Sequence, residues 1–212
     1  MNALCSWSGG KDSCYALMQA IDAGYKPAVL LNVLNEKGMI SRSHGIPSDI
    51  LLMQANYAGI PIHLISSSWA DYEQQFTSAL NKLKKDHQLE YAVFGDIDLQ
   101  AHRDWEEKVC TNADLKAVLP LWHRERRSLL SEMLLKGIDC RIVSCNAIMG
   151  ERFIGKQLTE SLADELTSMG IDACGENGEF HTLVVNCPLF SEALNISIPG
   201  AIEHEGYWFA GW

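Results

Sequence analysis

The hexapeptide Ser8-Gly9-Gly10-Lys11-Asp12-Ser13 constrains this chain more than any other stretch. It follows a short apolar run, Asn2–Trp7, and precedes Cys14, Leu17, Met18 and Ile21. Their i, i+3, i+4, i+7 spacing marks the buried face of a helix that Gly24 stops. A strand passing through paired glycines straight into a helix opens an α/β unit. The glycines permit positive φ and let a ligand approach the backbone, and the loop amides with the helix N-terminus form a cradle for an anion. Ser8 and Ser13 add hydroxyl donors and Lys11 a positive charge. A Walker A loop needs four residues between its first glycine and Gly-Lys-Ser/Thr, which is not this spacing. Taken by position alone, a plain turn capped by Asp12 or Ser13, with Lys11 in solvent, remains the alternative.

The alternation continues downstream. Pro27–Leu34 is a strand buried on both sides. A polar loop follows over 35–47, then a helix from a Ser48 cap to Gly59, and a third strand at Ile60–Ile65. Trp69, Tyr72, Phe76, Ala79 and Leu83 have helical spacing. Tyr91–Phe94 makes a fourth strand ending in Gly95-Asp96, before a helix over about 102–113 and a strand at Lys116–Leu119. This predicts a mostly parallel Rossmann-like sheet with helices on both faces. After Pro120-Leu121-Trp122 the rhythm changes to helix (about 123–136), strand (139–144), helix (about 157–169) and β-rich remains. A smaller α+β C-terminal domain is expected there, giving domains 1–122 and 123–212. The Tyr207-Trp208-Phe209…Trp212 ending suits a core strand or a contact with a second copy in a homodimer.

Charge is divided along the chain. Residues 1–156 hold 18 acids and all 17 bases, a net of −1, whereas residues 157–212 hold nine acids and no Lys or Arg. Such a tail would repel phosphates, which argues against nucleic acid as a partner. No apolar run approaches the roughly 18–20 residues of a membrane span, and Met1 leads into a strand-like run without signal-peptide features. Seven cysteines without a CxxC pair favour reduced thiols over disulfides or a zinc ribbon, so a cytoplasmic location is expected. Cys140 and Cys145 read as core thiols.

Ser-Gly-Gly-Lys-Asp-Ser resembles the PP-loop of the N-type ATP pyrophosphatases. With Gly95-Asp96-Ile97, Pro120-Leu121-Trp122 and Gly175-Glu176-Asn177-Gly178-Glu179-Phe180-His181-Thr182 in this order, the chain resembles the diphthine–ammonia ligase family from about residue 3 to 190. The resemblance implies an adenine-nucleotide α-hydrolase-like sheet with a small second domain. It also implies ATP-dependent amidation of the diphthine carboxylate with ammonia, releasing AMP and pyrophosphate, with magnesium as the companion ion.

By the same resemblance, Ser8, Gly9, Gly10, Lys11, Asp12 and Ser13 grip the phosphates, with His44, Gly95 and Arg103 also on the nucleotide side. Asp12 and Asp96 are the candidate magnesium ligands. Glu176, Glu179 and His181 join them as candidate catalytic groups, and Glu107 and Thr182 belong with Glu176 and Glu179 on the substrate side. Each has a plainer alternative. Asp96 could cap the next helix, Arg103 and Glu107 could form a surface i, i+4 pair, and Glu176 and Glu179 could sit in a solvated turn. Arg124, Arg126 and Arg127 open a helix, where the dipole disfavours cations, so anionic partners or a solvated cluster are both open.

The chain departs from the archaeal and eukaryotic ligases in two places. Ser41-Arg42-Ser43-His44-Gly45-Ile46-Pro47 keeps His44 but lacks the aromatics before it, and Trp105 stands where a second arginine is usual. Both changes resemble the bacterial branch, which leaves the carboxylate acceptor open. Two other readings remain: an ATP-binding or sensing protein without turnover, and a PP-loop tRNA-modifying enzyme.

Overall fold

Strand Lys26–Leu34 explains the layering. Its Leu30 and Leu34 pack with Ala3, Cys5, Cys14 and Leu17, whereas Val29, Leu31 and Val33 pack with Phe76, Leu80 and Val109. Successive side chains point to opposite faces of a strand, so one apolar run feeds two cores and needs helices on both sides. A computed structural model describes residues 1–212 and has this architecture. Its first half comprises β1 (Asn2–Ser6), α1 (Lys11–Asp22), β2 (Lys26–Leu34), α2 (Ser48–Ala58), β3 (Ile62–Ser66), α3 (Tyr72–His87), β4 (Tyr91–Val93), α4 (Gln100–Asn112) and β5 (Lys116–Val118). The strands form one parallel sheet in the order β3-β2-β1-β4-β5. The order reverses between β1 and β4, so the loops after these strands diverge and open a crevice at their carboxyl ends.

The remainder comprises α5 (Arg126–Leu135), β6 (Asp139–Asn146), α6 (Glu160–Ser168), β7 (Phe180–Asn186), β8 (Gly200–His204) and β9 (Tyr207–Gly211). These strands form an antiparallel sheet in the order β7-β6-β9-β8. One continuous core of 42 buried residues runs from α1 and α2 into β6, β7, α5 and α6. The Val184 amide on β7 donates to the Gly9 carbonyl at 2.9 Å. The second sheet is thus fastened directly to the glycine loop.

Two local expectations are corrected. Ser48 is the first residue of α2 rather than its cap; Pro47 precedes it with φ −55° and no side-chain capping bond. Proline suits a helix start because its φ is already fixed near the helical value. Trp69 lies in the turn before α3 and is 71% exposed, so its helical spacing to Tyr72 and Phe76 is incidental. All seven cysteines are buried and unpaired. No helix is long and apolar enough to cross a membrane.

Candidate active site

A cleft of about 870 Å³ lies over the β1–β4 crevice. Its walls come from the Ser8–Ser13 loop, the segment after β4, the first turns of α4, and residues 174–182 leading into β7. Distant parts of the chain therefore converge on one space.

The loop is tightly tied. Ser8 Oγ and Ser13 Oγ are 3.0 Å apart, Ser13 Oγ donates to the Gly10 carbonyl at 3.1 Å, and the Gly10 amide donates to Ser8 Oγ at 3.3 Å. Gly9 has φ +86°, and a Cβ there would stand 2.9 Å from Leu51 and 3.0 Å from Gln54. Any side chain there would be both strained in its backbone and crowded by its neighbours. At Gly95 the reason is proximity: a Cβ would meet the Asp12 carbonyl carbon and the Ser13 nitrogen at 2.8 Å. The end of β4 is thus pressed against the start of α1, where Ser8 and Thr182 take the Gly10 and Lys11 amides and the Asp12 and Ser13 amides are the ones left for an anion.

Lys11 does not point to bulk solvent. It is 2% exposed, and its Nζ donates to both Asp12 carboxylate oxygens, at 2.9 and 2.8 Å, and to the Cys174 carbonyl at 2.6 Å. Burial opposes its charge, but the Asp12 carboxylate, helped by Cys174 and Glu176, holds the ammonium above the usual lysine range. The Lys11 amide donates to Thr182 Oγ1 at 3.1 Å.

The adjoining wall is acidic. Asp96 accepts from His102 Nδ1 at 2.6 Å, and Glu106, 3% exposed, lies beside it. Burial, then the Asp96 charge, pushes Glu106 up to about 11. Two carboxyls can share a hydrogen bond only if one keeps its proton, and a protonated Glu106 gives its buried and otherwise unpartnered Oε2 a role. Burial penalises the Asp96 charge too, but hydrogen bonds from His102 and Glu106 hold it below the ordinary carboxylate range. Burial, then the Asp12 charge, raises Glu176 to about 8. The His44 and His181 rings pack at 4.5 Å; burial and neighbouring positive charge lower both, His181 to about 4.

Five expected site residues do not line the cleft: Gly9 and Gly10 form the loop behind its wall, and Arg103, Glu107 and Glu179 lie elsewhere. Arg103 and Glu107 pair at 2.7 Å on the exposed side of α4, and the Arg103 guanidinium lies over the Trp122 ring at 5.0 Å. Residues advance about 100° per position around a helix, so Ala101, His102, Trp105 and Glu106 face the cleft whereas Arg103 and Glu107 turn away. Glu179 points into its own turn, where it accepts from the Asp172 amide and from the Asn177 amide and side chain at 3.0–3.3 Å. It shapes the loop that presents Glu176. Ser8, Lys11, Asp12, Ser13, His44, Gly95, Asp96, Glu176, His181 and Thr182 all line the cleft.

The diphthamide synthase N-terminal domain model matches residues 1–117, and the diphthamide synthase C-terminal domain model matches residues 125–212. The chain belongs to the diphthamide synthase family. It is 27% identical over 227 residues to a protein named diphthine–ammonia ligase from Schizosaccharomyces pombe, covering 96% of this chain but 37% of that one. A Danio rerio protein of the same name is 26% identical over 231 residues, 96% of this chain and 89% of that one. A solved structure described as a predicted subunit of tRNA methyltransferase from Methanocaldococcus jannaschii has a TM-score of 0.48 and 15% identity, over 89% of this chain and 98% of that one. That likeness is too distant to bear on chemistry.

In this diphthamide synthase family member, sequence reasoning missed two residues. Gln54, fully buried on α2, accepts from Trp7 Nε1 at 2.9 Å and donates to the carbonyls of Gly9 at 3.0 Å and Val184 at 2.8 Å. Glu106 was legible in principle, because with Val109, Cys110 and Ala113 it completes an i, i+3, i+4, i+7 set on the buried face of α4. A carboxyl in an apolar stripe signals a group held for a purpose.

Proposed function

We propose that this protein is an AMP-forming amide ligase that adenylates a carboxylate and amidates it with ammonia. The observation supporting this most strongly is that the Ser8–Ser13 loop and the Glu176 loop open into one cleft and are joined by the Lys11–Cys174 contact. A phosphate cradle and a weakly acidic carboxyl facing one space suit two successive half-reactions.

The β- and γ-phosphates of ATP lie in the loop, against the amides at the start of α1 and the Ser8 and Ser13 hydroxyls. The substrate carboxylate attacks the α-phosphorus and displaces pyrophosphate, whose developing charge these donors stabilise. Ammonia then attacks the acyl-adenylate carbonyl and expels AMP. Glu176 accepts the proton that the nitrogen loses, since a carboxyl raised to about 8 is a stronger base than an ordinary one. His44 and His181, both neutral near pH 7, line the same cleft without adding charge.

A magnesium ion fits the donor set. Asp12 and Asp96 are hard-oxygen groups on adjacent walls, and no group of three or more metal-binding side chains is assembled. Magnesium is usually held by one or two carboxylates together with substrate phosphates. When bound, it would offset phosphate charge and orient the leaving group.

The test uses variants that separate the half-reactions. Asp12→Ala and Ser13→Ala should abolish AMP formation. Glu176→Gln should retain ATP–pyrophosphate exchange with an accepted carboxylate while losing amide formation. Full amide formation by Glu176→Gln would remove that residue from the mechanism, and activity retained by Asp12→Ala would remove the loop.

A further inference from the structure

Three arginines, Arg124, Arg126 and Arg127, stand at the start of α5, where the helix dipole disfavours cations. Two have local partners. Arg124, just before the helix, pairs with Glu132 of α5, and Arg127 with Glu160 and Asp164 of α6. Arg126 is different. Its Nε and Nη2 donate to the two Asp98 oxygens at 2.8 and 2.6 Å, and its Nη1 donates to Asp172 Oδ2 at 2.7 Å and to Asn177 Oδ1 at 3.3 Å.

These partners belong to the two sides of the cleft. Asp98 is in the segment that carries Asp96. Asp172 accepts from the amides of Cys174 at 3.1 Å and Glu176 at 3.0 Å, so it organises the turn that presents Glu176. The Cys174 carbonyl in turn holds Lys11 at 2.6 Å, and Cys174 Sγ donates to the Arg126 carbonyl at 3.0 Å. One guanidinium thus links the Asp96 segment, the Glu176 turn and, through Cys174, the phosphate loop. The three side chains are 25%, 30% and 12% exposed for Arg126, Asp98 and Asp172, which places the link at the partly buried seam between α5 and the two loops.

We infer that Arg126 is a positioning residue for this active site: its guanidinium clamps the Asp96 segment and the Glu176 turn into one body and fixes their separation across the cleft. The planar fork is essential to this role. A guanidinium offers bidentate donors on one edge and a further donor on another, whereas a lysine ammonium is a single point charge. The catalytic consequence rests on the ligase reading; the clamp itself does not.

Amide hydrogen exchange on the full-length protein tests the clamp without any reaction. In Arg126→Gln, peptides covering 95–103 and 172–178 should both exchange about tenfold faster, the change expected for losing a charge-assisted tie worth about one decade in a local opening equilibrium. Arg127→Gln should change neither. Arg126→Lys should fail to restore both segments together. Asp98→Asn, a milder variant, should loosen the 95–103 segment and add nothing further in an Arg126→Gln background. Native exchange of either segment in Arg126→Gln, or full restoration of both by lysine, would overturn the clamp. In the activity arm, Arg126→Gln should lower kcat for ATP–pyrophosphate exchange at least about tenfold with KM for ATP within about twofold. Loss confined to KM for ATP would overturn the positioning role. Coupled exchange of both segments in a wild-type protein that forms no AMP with any carboxylate would sustain the clamp and remove the ligase reading.

Discussion

The Lys11 ammonium lies 2.6 Å from the Cys174 carbonyl oxygen, 163 positions further along the chain. The same nitrogen sits against both oxygens of Asp12. A lysine in a phosphate loop is ordinarily thought of as a phosphate ligand; here it also fastens the loop to the turn that carries Glu176.

Removing that ammonium should therefore weaken the fold as well as nucleotide binding. Lys11→Met keeps the side chain's apolar bulk but leaves a half-buried Asp12 beside an unpaired carbonyl. Breaking a buried pair from one side costs about 3–5 kcal/mol, and Asp12, 27% exposed, should place this loss at or below about 3 kcal/mol. Urea unfolding of the two proteins measures it, and equal midpoints would show that the contact carries no stability.

Gln54 offers a second mechanical test. Gln54→Leu deletes its bonds to Trp7, Gly9 and Val184 and leaves the buried Trp7 indole N–H without an acceptor. The expected loss is on the order of 2 kcal/mol, accompanied by weaker ATP binding because Gly9 is then held to β7 by the Val184 amide alone. Calorimetric titration with magnesium and ATP checks the second part; wild-type affinity would separate the Gln54 network from the site.

Glu106 gives a pH-dependent prediction. Its folded pKa is raised to about 11, against about 4.3 for an unperturbed glutamate. Between these values the unfolded chain has lost the proton and the folded one keeps it, so stability falls as pH rises. Glu106→Gln removes this dependence and can still donate to Asp96. At pH 8 its Tm should exceed wild type by at least about 2–4 °C, with the gap closing toward pH 5. A gap independent of pH would show that Glu106 ionises normally.

The His44–His181 pair predicts the opposite slope on the acid side. His181 is lowered to about 4, and His44 well below the usual histidine range. The unfolded chain takes up protons below about 6.5, whereas the folded pair resists them. Stability should fall as pH drops from about 6.5 to 4, and His181→Gln should flatten that limb in thermal melts. An unchanged limb would place the acid sensitivity elsewhere.

The parallel sheet was legible because its strands are apolar runs separated by helical periods, and β2 shows its two-sided burial in its own spelling. The glycine loop was legible because Gly9 requires an unusual backbone conformation and Gly95 admits no Cβ. The fate of Lys11 and Glu179 was not, and of Arg103 only its surface pairing with Glu107 was. Each depends on which partner the tertiary fold brings near: a carbonyl 163 residues away, a tryptophan ring after β5, or the amides of a turn that glutamate itself organises. Gln54 carried no local signal, since its one donor and two acceptors come from the segment after β1 and from β7, both distant in sequence. Arg126 advertised itself only as a cation at the wrong end of a helix.

The product formed from ATP tests the ligase reading most directly. ATP labelled at the α-phosphate, incubated with the protein, magnesium, ammonium and a panel of carboxylates that includes diphthine, should yield label in AMP with matching pyrophosphate and amide. Label in ADP with release of inorganic phosphate would contradict it.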